Sequence, residues 1–392
     1  MRLLVIGLGN SPHLVDTVAQ LKPMNWDVHV VTSIDAPWAG GYERCTIHHT
    51  TSDVPPEPRP GVEIVDHREE VGSLGSRAWP TVLAHLIAKI QPDIIHAHEL
   101  QHSGVLALNA MRRCSGRVPL FVLSTWGSDI YHFARQPDQR VLIRAVLRAC
   151  DVVWPDCWRD QSLARSEGFR GTVLPATPVG GGYDIVGTLA RRSGGPTSAR
   201  RDIAVKGFNT WVGRGMNALD AVEMCGDLLA GRQLFLLTSD DETEEKAARL
   251  CTRHGATLRV LRGVPKETIF STLRSCRVSL ALNMSDGTSK GFLEALLCGA
   301  FPIQSFSSAA GEWTTHEESA FLVDPTDIRA VASALRRALT DDELVDHARE
   351  INDVTVRAHL DARAVGCTVL ASYRKLGGLA NVKRAEQIET SA

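Results

Sequence analysis

The stretch SDGTSKGFLEALLCGAFPI, residues 285–303, carries the strongest structural signal in the 392-residue chain. An apolar run ends at Asn283, small residues form a loop, and an amphipathic segment follows from Gly291. This order predicts a strand, a tight loop and a helix whose free N–H groups and positive dipole end form an anion-binding geometry. Two acids, Asp286 and Glu294, are spaced to contact two parts of one ligand. The alternative is that Asp286 caps the helix and Glu294 is a solvated helix residue.

Apolar runs of strand length alternate with amphipathic stretches of helix length on both sides of this segment. Near the N-terminus an apolar run at residues 3–6 meets a short loop, where Ser11 and Pro12 predict the N-cap and first residue of a helix. Such alternation predicts parallel sheets with helices on both faces. A polar, glycine-rich stretch at residues 187–200 interrupts the pattern and predicts a linker.

We therefore predict an α/β protein with two Rossmann-like, doubly wound domains that face a central cleft. The N-terminal domain takes residues 1–186, and the C-terminal domain takes residues 201–355 after the linker. The last residues, 356–392, are expected to form a helix and a frayed polar tail.

The composition is that of a globular protein, with 44% hydrophobic and 22% charged residues. Forty-three basic against 45 acidic residues give a net charge of −2, without the basic excess that nucleic-acid binding needs. No apolar stretch reaches the roughly 18–20 residues of a spanning helix, and the N-terminus predicts a strand, not a signal peptide. Nine scattered cysteines without a C-x-x-C pair predict reduced thiols in a cytoplasm. Thirty-five of the basic residues are arginine, a skew typical of GC-rich bacterial genomes.

The segment at residues 285–303 resembles the E-x7-E region of the retaining GT-B glycosyltransferases of family four. Asp286 stands in the place of the first glutamate and Glu294 in that of the second. The resemblance extends over nearly the whole chain. Further stretches similar to family landmarks are residues 11–13, 26–31, 92–98, 126–129, 311–312 and 319–325.

The resemblance implies a hexosyltransferase that moves a sugar from a nucleoside-diphosphate sugar to a small-molecule or glycan acceptor and retains the anomeric configuration. Because negative charge builds on the departing diphosphate, positive charge must stabilise it. The chain has no D-x-D pair, so we expect no metal ion and no other cofactor. Lys206 and Arg214 stand where the family places an Arg and a Lys, with the two residue types exchanged. The alternative is that both are solvated loop cations.

Within the resemblance, Asp286, Lys206 and Arg214 form the catalytic group, and Glu294 holds the ribose hydroxyls of the nucleotide. The shorter Asp at 286 leaves the identity of the sugar open. The first loop of the chain is not a dinucleotide fingerprint, because Pro12 replaces the third glycine of G-x-G-x-x-G. The remaining donor-binding residues are then Gly287, Thr288, Ser289, Lys290, Gly9 and Asn10.

The acceptor side is expected in the N-terminal half. Trp126 stands where many relatives carry a His that contacts the sugar, so Asp129 becomes the nearest polar candidate. Of the two histidines at a strand end, His98 is favoured over His96 for lining the cleft. The alternative is that it is an ordinary buried histidine. A metal site would need a third ligand that the sequence does not place. His13 is either acceptor-binding or an ordinary helix-start residue. The acceptor-binding set is then Ser11, His13, His98, Trp126 and Asp129.

Two other functions stay open. The Asp-for-Glu and Trp-for-His changes are compatible with a catalytically inactive nucleotide-sugar-binding partner protein, and a GT-B nucleotide-sugar epimerase is a further alternative. Near-neutral charge favours an acceptor from natural-product or polysaccharide biosynthesis over a membrane lipid, so membrane contact is not favoured. As in relatives, the C-terminal helix is expected to cross back to the N-terminal domain, with hinge motion around residues 180–201. The nucleotide and the oligomeric state are left open.

Overall fold

A computed structural model of the protein describes residues 1–50, 59–72, 79–178, 180–192 and 194–391. The chain divides into two compact units. The first unit comprises Met1–Gly182 together with Val365–Ala392, and the second comprises Tyr183–Ala364. Each unit is an α/β structure with its own sheet, and this confirms the predicted fold class.

The described part of the first unit contains an eight-stranded parallel sheet. Its strands are β1 Arg2–Gly7, β2 Asp27–Thr32, β3 Cys45–His49, β4 Val62–Asp66, β5 Ile94–His98, β6 Leu120–Ser124, β7 Val152–Trp154 and β8 Thr172–Val173. They lie in the order β4-β3-β2-β1-β5-β6-β7-β8. The helices are α1 Pro12–Gln20, α2 Arg68–Gly72, α3 Trp79–Ile90, α4 Val105–Met111, α5 Ser128–Tyr131, α6 Pro137–Ala149 and α7 Trp158–Ser166.

The central strand β1 supplies side chains to two cores because successive residues of a strand point to opposite faces. Leu4 and Ile6 pack in one core, and Leu3 and Val5 pack in the other. The start of α1 is as predicted: Pro12 is its first residue, and the Ser11 hydroxyl accepts a hydrogen bond from the His13 backbone N–H at 3.2 Å.

The second unit contains a six-stranded parallel sheet among its described residues. Its strands are β9 Asp202–Lys206, β10 Gln233–Leu237, β11 Thr257–Leu261, β12 Cys276–Ala281, β13 Phe301–Ser305 and β14 Phe321–Val323, in the order β11-β10-β9-β12-β13-β14. Its helices are α8 Ile185–Ala190, α9 Gly215–Met224, α10 Asp241–His254, α11 Lys266–Ser275, α12 Lys290–Cys298, α13 Ile328–Thr340 and α14 Asp342–His359. Strands β9 and β12 are neighbours, so the segments that follow them leave the same edge of the sheet.

The predicted linker at residues 187–200 is structured in its described part. Helix α8 overlaps its start, and the Asp184 carboxylate caps this helix by accepting from the Gly187 N–H at 2.9 Å. Arg192 is buried and donates to the Leu297 carbonyl at 2.7 Å. Sequence periodicity misses this packing because hydrogen bonds, not an apolar stripe, hold the segment. Residue 193 of the predicted linker lies outside the described residues.

The C-terminal segment forms helix α15, Ala362–Ser391, which replaces the predicted frayed tail. This helix belongs to the first unit, where Val365, Val369, Tyr373, Leu376 and Ala380 complete the core that contains Leu3 and Val5. The Pro- and Gly-rich residues 35–61 predict a long loop. Strand β3 forms within this range, and residues 51–58 lie outside the described part of the chain. No helix among the described residues is long and apolar enough to cross a membrane.

Candidate functional site

The turn between β12 and α12 is fixed by the segment that follows the neighbouring strand β13. The Asn283 N–H donates to the Ser305 hydroxyl at 2.8 Å, and the Ser307 hydroxyl donates to the Asn283 carbonyl at 2.6 Å. Further along the turn, the Ala309 N–H donates to the Gly287 carbonyl at 3.0 Å. These bonds hold the backbone before α12 in one conformation.

Helix α12 begins without a side-chain cap. Ser289 is the N-cap residue, in an extended conformation, and its side chain makes no capping hydrogen bond. Thr288 and Ser289 are buried, and Trp313 Nε1 donates to the Thr288 hydroxyl at 3.4 Å. The first N–H groups of a helix carry its partial positive charge, so the start of α12 has the geometry of an anion site. The predicted donor-binding residues Gly287, Thr288, Ser289 and Lys290 therefore all lie at this helix start.

Asn283 links Lys206 to Asp286. Lys206 Nζ lies 3.4 Å from Asn283 Oδ1, and Asn283 Nδ2 lies 3.0 Å from Asp286 Oδ2. An ammonium only donates and a carboxylate only accepts, so these two partners fix the orientation of the amide. Asn283 is 1% exposed, whereas Lys206 and Asp286 are half-buried. The structure thus brings Lys206, at the end of β9, to the turn that carries Asp286.

Arg214 lies beside the same turn but has different partners. Its backbone N–H donates to the Leu282 carbonyl at 2.9 Å, which fixes its loop against the residues that follow β12. Its guanidinium Nη1 donates to the Thr210 and Gly213 carbonyls, each at 2.9 Å. Lys206 and Arg214, the two cations predicted to stabilise the departing diphosphate, therefore both lie near the turn. Arg214 also stabilises its own loop.

Glu294 is buried in the second unit with a tyrosine and two lysines around it. The side chain is 8% exposed, and this burial raises its pKa, although Lys266, Lys290 and a hydrogen bond from Tyr183 act in the opposite direction. Lys266 Nζ lies 4.8 Å from the centre of the Tyr183 ring. Glu294 is therefore not the solvated helix residue of the alternative interpretation. Sequence reasoning missed Tyr183, Lys266 and Asn283.

Gly9 and Asn10, the donor-binding candidates of the first unit, occupy the loop after β1. The Gly9 N–H donates to the Thr32 hydroxyl at 3.1 Å, and its carbonyl accepts from the Tyr42 hydroxyl at 3.0 Å. A Cβ at Gly9 would lie 2.9 Å from the Thr32 hydroxyl oxygen, so packing already requires glycine there. Asn10 is exposed.

His13, Trp126 and His98 form an aromatic group in the first unit. The rings of His13 and Trp126 meet edge to face with centroids 5.7 Å apart, and the centroids of Trp126 and His98 are 6.3 Å apart. His98 Nε2 and Trp126 Nε1 are buried and make no hydrogen bond to any described residue. Both residues line a cavity of about 50 Å³. Ser11 uses its hydroxyl to cap α1.

His96 is a satisfied buried histidine, in contrast to His98. Its Nδ1 lies 3.0 Å from the Tyr373 hydroxyl, and its Nε2 lies 2.8 Å from the Ser124 hydroxyl. Trp154 stacks on its ring with an interplanar angle of 6°. Both histidines line the cavity, but only His98 has a buried ring nitrogen without a hydrogen bond to a described residue, so its role in lining the cleft stays a prediction.

Asp129, the remaining acceptor-binding candidate, accepts hydrogen bonds from the backbone. The residue is 4% exposed, does not line the cavity, and its Oδ2 accepts from the backbone N–H groups of Leu100 and Trp126, each at 3.1 Å. Burial and the nearby carboxylates of Glu99 and Asp160 raise its pKa well above the usual range. Asp129 therefore positions the segment that carries Trp126, and its contact with an acceptor stays a prediction.

One acidic cluster near this cavity has metal-ligand spacing. Asp156, Cys157 and Asp160 are buried, and each offers a ligand atom within 4.8 Å of the others. Arg159 forms an ion pair with Asp160 at 3.1 Å, so one positive charge already balances the cluster. Burial and the neighbouring carboxylates raise the pKa of the Cys157 thiol, which disfavours the thiolate that a metal requires.

The stability of the first unit is expected to fall between pH 7 and pH 5. Burial lowers the pKa of His98 from 6.5 to about 3, so the unfolded chain binds more protons than the folded one between these values. The contribution of His98 to the free energy of unfolding is thus complete above about pH 6.5 and is lost as the pH falls toward 3. About 2 kcal/mol of this contribution is lost by pH 5. Urea unfolding at both pH values measures this loss. A His98→Gln variant should show a smaller loss, and the exposed His347→Gln control should match the parent; equal losses in all three proteins would contradict the prediction.

Comparison with known proteins agrees with this architecture. Residues 2–154 match a family described as "Glycosyl transferase 4-like", and residues 222–353 match "Glycosyl transferases group 1". These two matches, together with the two parallel α/β units, place the chain among the glycosyltransferases of the GT-B class. Within this class, the chain belongs to the family-four-like glycosyltransferases.

Solved structures with the same fold cover nearly the whole chain. Sucrose-phosphate synthase from Thermosynechococcus elongatus matches with a TM-score of 0.71 and 14% identity, over 97% of this chain and 100% of that one. HepE from Anabaena, solved with UDP and glucose, has a TM-score of 0.63 at 14% identity, over 96% and 100%. A UDP-forming trehalose-phosphate synthase from Burkholderia xenovorans has a TM-score of 0.65 at 14% identity, over 96% and 99%. Comparison with curated proteins gives no match.

Proposed function

We propose that the protein transfers a sugar from a nucleoside-diphosphate sugar to a small-molecule or glycan acceptor, with retention of anomeric configuration and without a metal ion. The observation that carries the proposal is the Lys206–Asn283–Asp286 link beside the uncapped start of α12. It puts a cation, a carboxylate and an anion-binding helix start at one edge of the second sheet. HepE, with the same fold, is solved with UDP and glucose, so UDP-glucose is the first donor to test.

The diphosphate would bind at the helix start, where the backbone of residues 287–290 presents the positive end of the dipole. Lys206 would stabilise the charge that develops on the leaving oxygen. Arg214 would assist from the adjacent loop through guanidinium nitrogens other than Nη1, which donates to loop carbonyls. Asp286 would then orient the sugar through its hydroxyls.

Glu294 would hold the ribose of the nucleotide. Its burial beside Tyr183 and Lys266 orders the carboxylate before any ligand arrives. A carboxylate can accept two hydrogen bonds from neighbouring hydroxyls, and such charge-assisted bonds are stronger than neutral ones.

In the proposed reaction, the bond between the anomeric carbon and the diphosphate oxygen breaks, and the acceptor oxygen bonds to that carbon on the same face. The acceptor proton passes to the departing phosphate oxygen. No side chain forms a covalent bond in this step. On the acceptor side we propose His13, His98 and Trp126, because His98 Nε2 and Trp126 Nε1 are polar atoms that an acceptor hydroxyl can satisfy.

A donor and acceptor panel tests the proposal. Thermal shifts with UDP, GDP and ADP sugars should identify one nucleotide, and release of that nucleotide should then depend on an acceptor. Retention is read from the anomeric NMR signal of the product, and EDTA should leave turnover unchanged. Conversion of the donor itself without acceptor would favour an epimerase, and binding without turnover over a broad panel would favour an inactive partner protein.

We also propose a cytoplasmic location. All nine cysteines are free, and eight of them are buried or half-buried. Chains of this length that carry many unpaired thiols are typical of reducing compartments.

Replacing Asp286 with Asn is expected to lower kcat about 10–100-fold with little change in the Kd for the free nucleotide. The reason is that the carboxylate would contact the transferred sugar and not the nucleotide. Single-turnover rates and calorimetric titration with UDP measure the two quantities. The control is Asp241→Asn, since the Asp241 side chain is 90% exposed in the same unit. A variant that loses nucleotide affinity but keeps kcat would contradict the assigned role.

A further inference from the structure

Three arginines converge at the C-terminal end of α12, the opposite end from the proposed donor site. Arg192 and Arg200 are buried and Arg349 is half-buried. All three approach Gly299, the residue that ends the helix with a φ of +73°. A Cβ built on Gly299 would lie 3.4 Å from each of Arg192 Cζ, Arg200 Nη2 and Arg349 Nε. Three guanidinium groups thus surround one small space.

Part of each guanidinium caps the helix or a nearby loop. Arg192 Nε donates to the Leu297 carbonyl at 2.7 Å, and Arg349 Nη1 donates to the Gly195 carbonyl at 2.7 Å. Arg200 Nη1 donates to the Cys298 carbonyl at 3.0 Å. These bonds complement the negative end of the helix dipole, and one arginine would satisfy that role.

The two other nitrogen atoms of the Arg200 guanidinium do not take part in capping. Its Nε and Nη2 make no hydrogen bond to any described residue, although the residue is only 7% exposed. These two nitrogens lie on one edge of the planar guanidinium, the fork that binds two oxygens of one oxyanion. Buried donors without acceptors are costly, so an acceptor is expected at this edge.

The positive charges of these arginines also favour an anion beside Gly299. Among the ion pairs of the described residues, the only carboxylate that contacts any of the three arginines is Asp353, which pairs with Arg192. Arg200 and Arg349 therefore bring two positive charges without an opposing carboxylate. Burial, together with Arg349 and Arg192, lowers the pKa of Arg200 to about 10.

We propose that an inorganic phosphate-type oxyanion binds between Arg200 and Arg349 beside Gly299. Two of its oxygens would accept from Arg200 Nε and Nη2, and a third would accept from Arg349 Nε. A water molecule would satisfy donors without balancing the charge. Because Arg200 is only 7% exposed, inorganic phosphate is favoured over a bulkier phosphate ester.

This site is separate from the proposed diphosphate site. Helix α12 has nine residues, so its two ends lie about 13 Å apart. The inference does not depend on the proposed function, because the Arg200 and Arg349 variants distinguish this site from phosphate bound at the helix start.

The experiment measures the Tm of the full-length protein with saturating UDP, while inorganic phosphate is titrated against chloride at equal ionic strength. Phosphate is expected to raise Tm by about 3–6 °C, and chloride and glucose 6-phosphate are expected to have no comparable effect. Arg200→Lys keeps the charge but removes the fork, and Arg349→Gln removes a partly exposed cation that is less critical for folding. Each should weaken phosphate binding at least about tenfold. The control is Arg336→Gln, which removes one positive charge from a surface ion pair with Asp227 in the same unit.

Phosphate-dependent stabilisation that is lost in both Arg200→Lys and Arg349→Gln and kept in Arg336→Gln supports the site. Equal shifts with chloride, equal shifts in all variants, or no phosphate shift in the parent overturn it. Equal binding of glucose 6-phosphate overturns the enclosed geometry on which the choice of ligand rests. If Arg200→Lys does not fold, Arg349→Gln alone decides between these outcomes.

Discussion

Replacing Lys206 with Met is expected to lower kcat about 10²–10³-fold, while KM for the donor changes much less. The ammonium lies beside the turn before α12, 3.4 Å from Asn283 Oδ1, and Asn283 Nδ2 in turn donates to Asp286 Oδ2. In the proposed reaction, it contributes most when negative charge has built up on the departing diphosphate. Initial rates at saturating donor and acceptor measure the effect. Methionine keeps much of the side-chain volume, so the change removes mainly charge.

Lys206→Arg is the informative companion because it restores a cation at the same position and should recover part of the rate. Lys246→Met serves as the control, since Lys246 pairs with Asp220 in the same unit. Parent-like kcat in Lys206→Met would show that this lysine takes no part in the chemistry. A loss of the same size in Lys246→Met would indicate a general loss of stability.

The second large effect is expected at Glu294. The Glu294→Ala change should weaken binding of free UDP about 10–100-fold, because two charge-assisted hydrogen bonds to the ribose would be lost. Calorimetric titration measures the Kd directly. Glu294→Gln keeps the shape of the side chain, so it separates loss of charge from loss of packing.

Exposed Glu350, on α14, gives the matched control through Glu350→Ala. The expectation is an unchanged Kd there. If Glu294→Ala binds UDP as tightly as the parent protein, the buried carboxylate only supports the packing around Tyr183, and the nucleotide binds elsewhere.

Much of the fold could be predicted from the sequence because buried parallel strands are continuous apolar runs and the helices between them are amphipathic. Strands β3 and β4 were missed. The first of them reads Cys-Thr-Ile-His-His, and its His48 lies 3.0 Å from His29 Nδ1 and 3.1 Å from His67 Nε2 in a row of imidazoles. Two of the five residues of β3 are histidines, so its apolar signal is weak, whereas β4 contains Val62, Ile64 and Val65 and could have been predicted from them.

The candidate site, like the fold, could be predicted only in part. The acid pair and Lys206 could be found from spacing and resemblance, since a helix start and its acids are local in sequence. Tyr183 and Lys266 could not be found, because Lys266 reaches Glu294 through the packing of α11 on α12 and Tyr183 reaches it from the segment before α8. The backbone hydrogen bonds of Asp129 could not be predicted either, because sequence cannot distinguish a carboxylate that accepts backbone N–H groups from one that faces a cavity.

The position of α15 has a consequence for how the chain folds. Strand β1 is synthesised well before Tyr373 and Leu376, which lie in the same core as Leu3 and Val5. Residues 183–364 are contiguous and complete before then. Residues 183–364 can therefore reach their native state first, and residues 1–182 complete their hydrophobic core only after α15 has been synthesised.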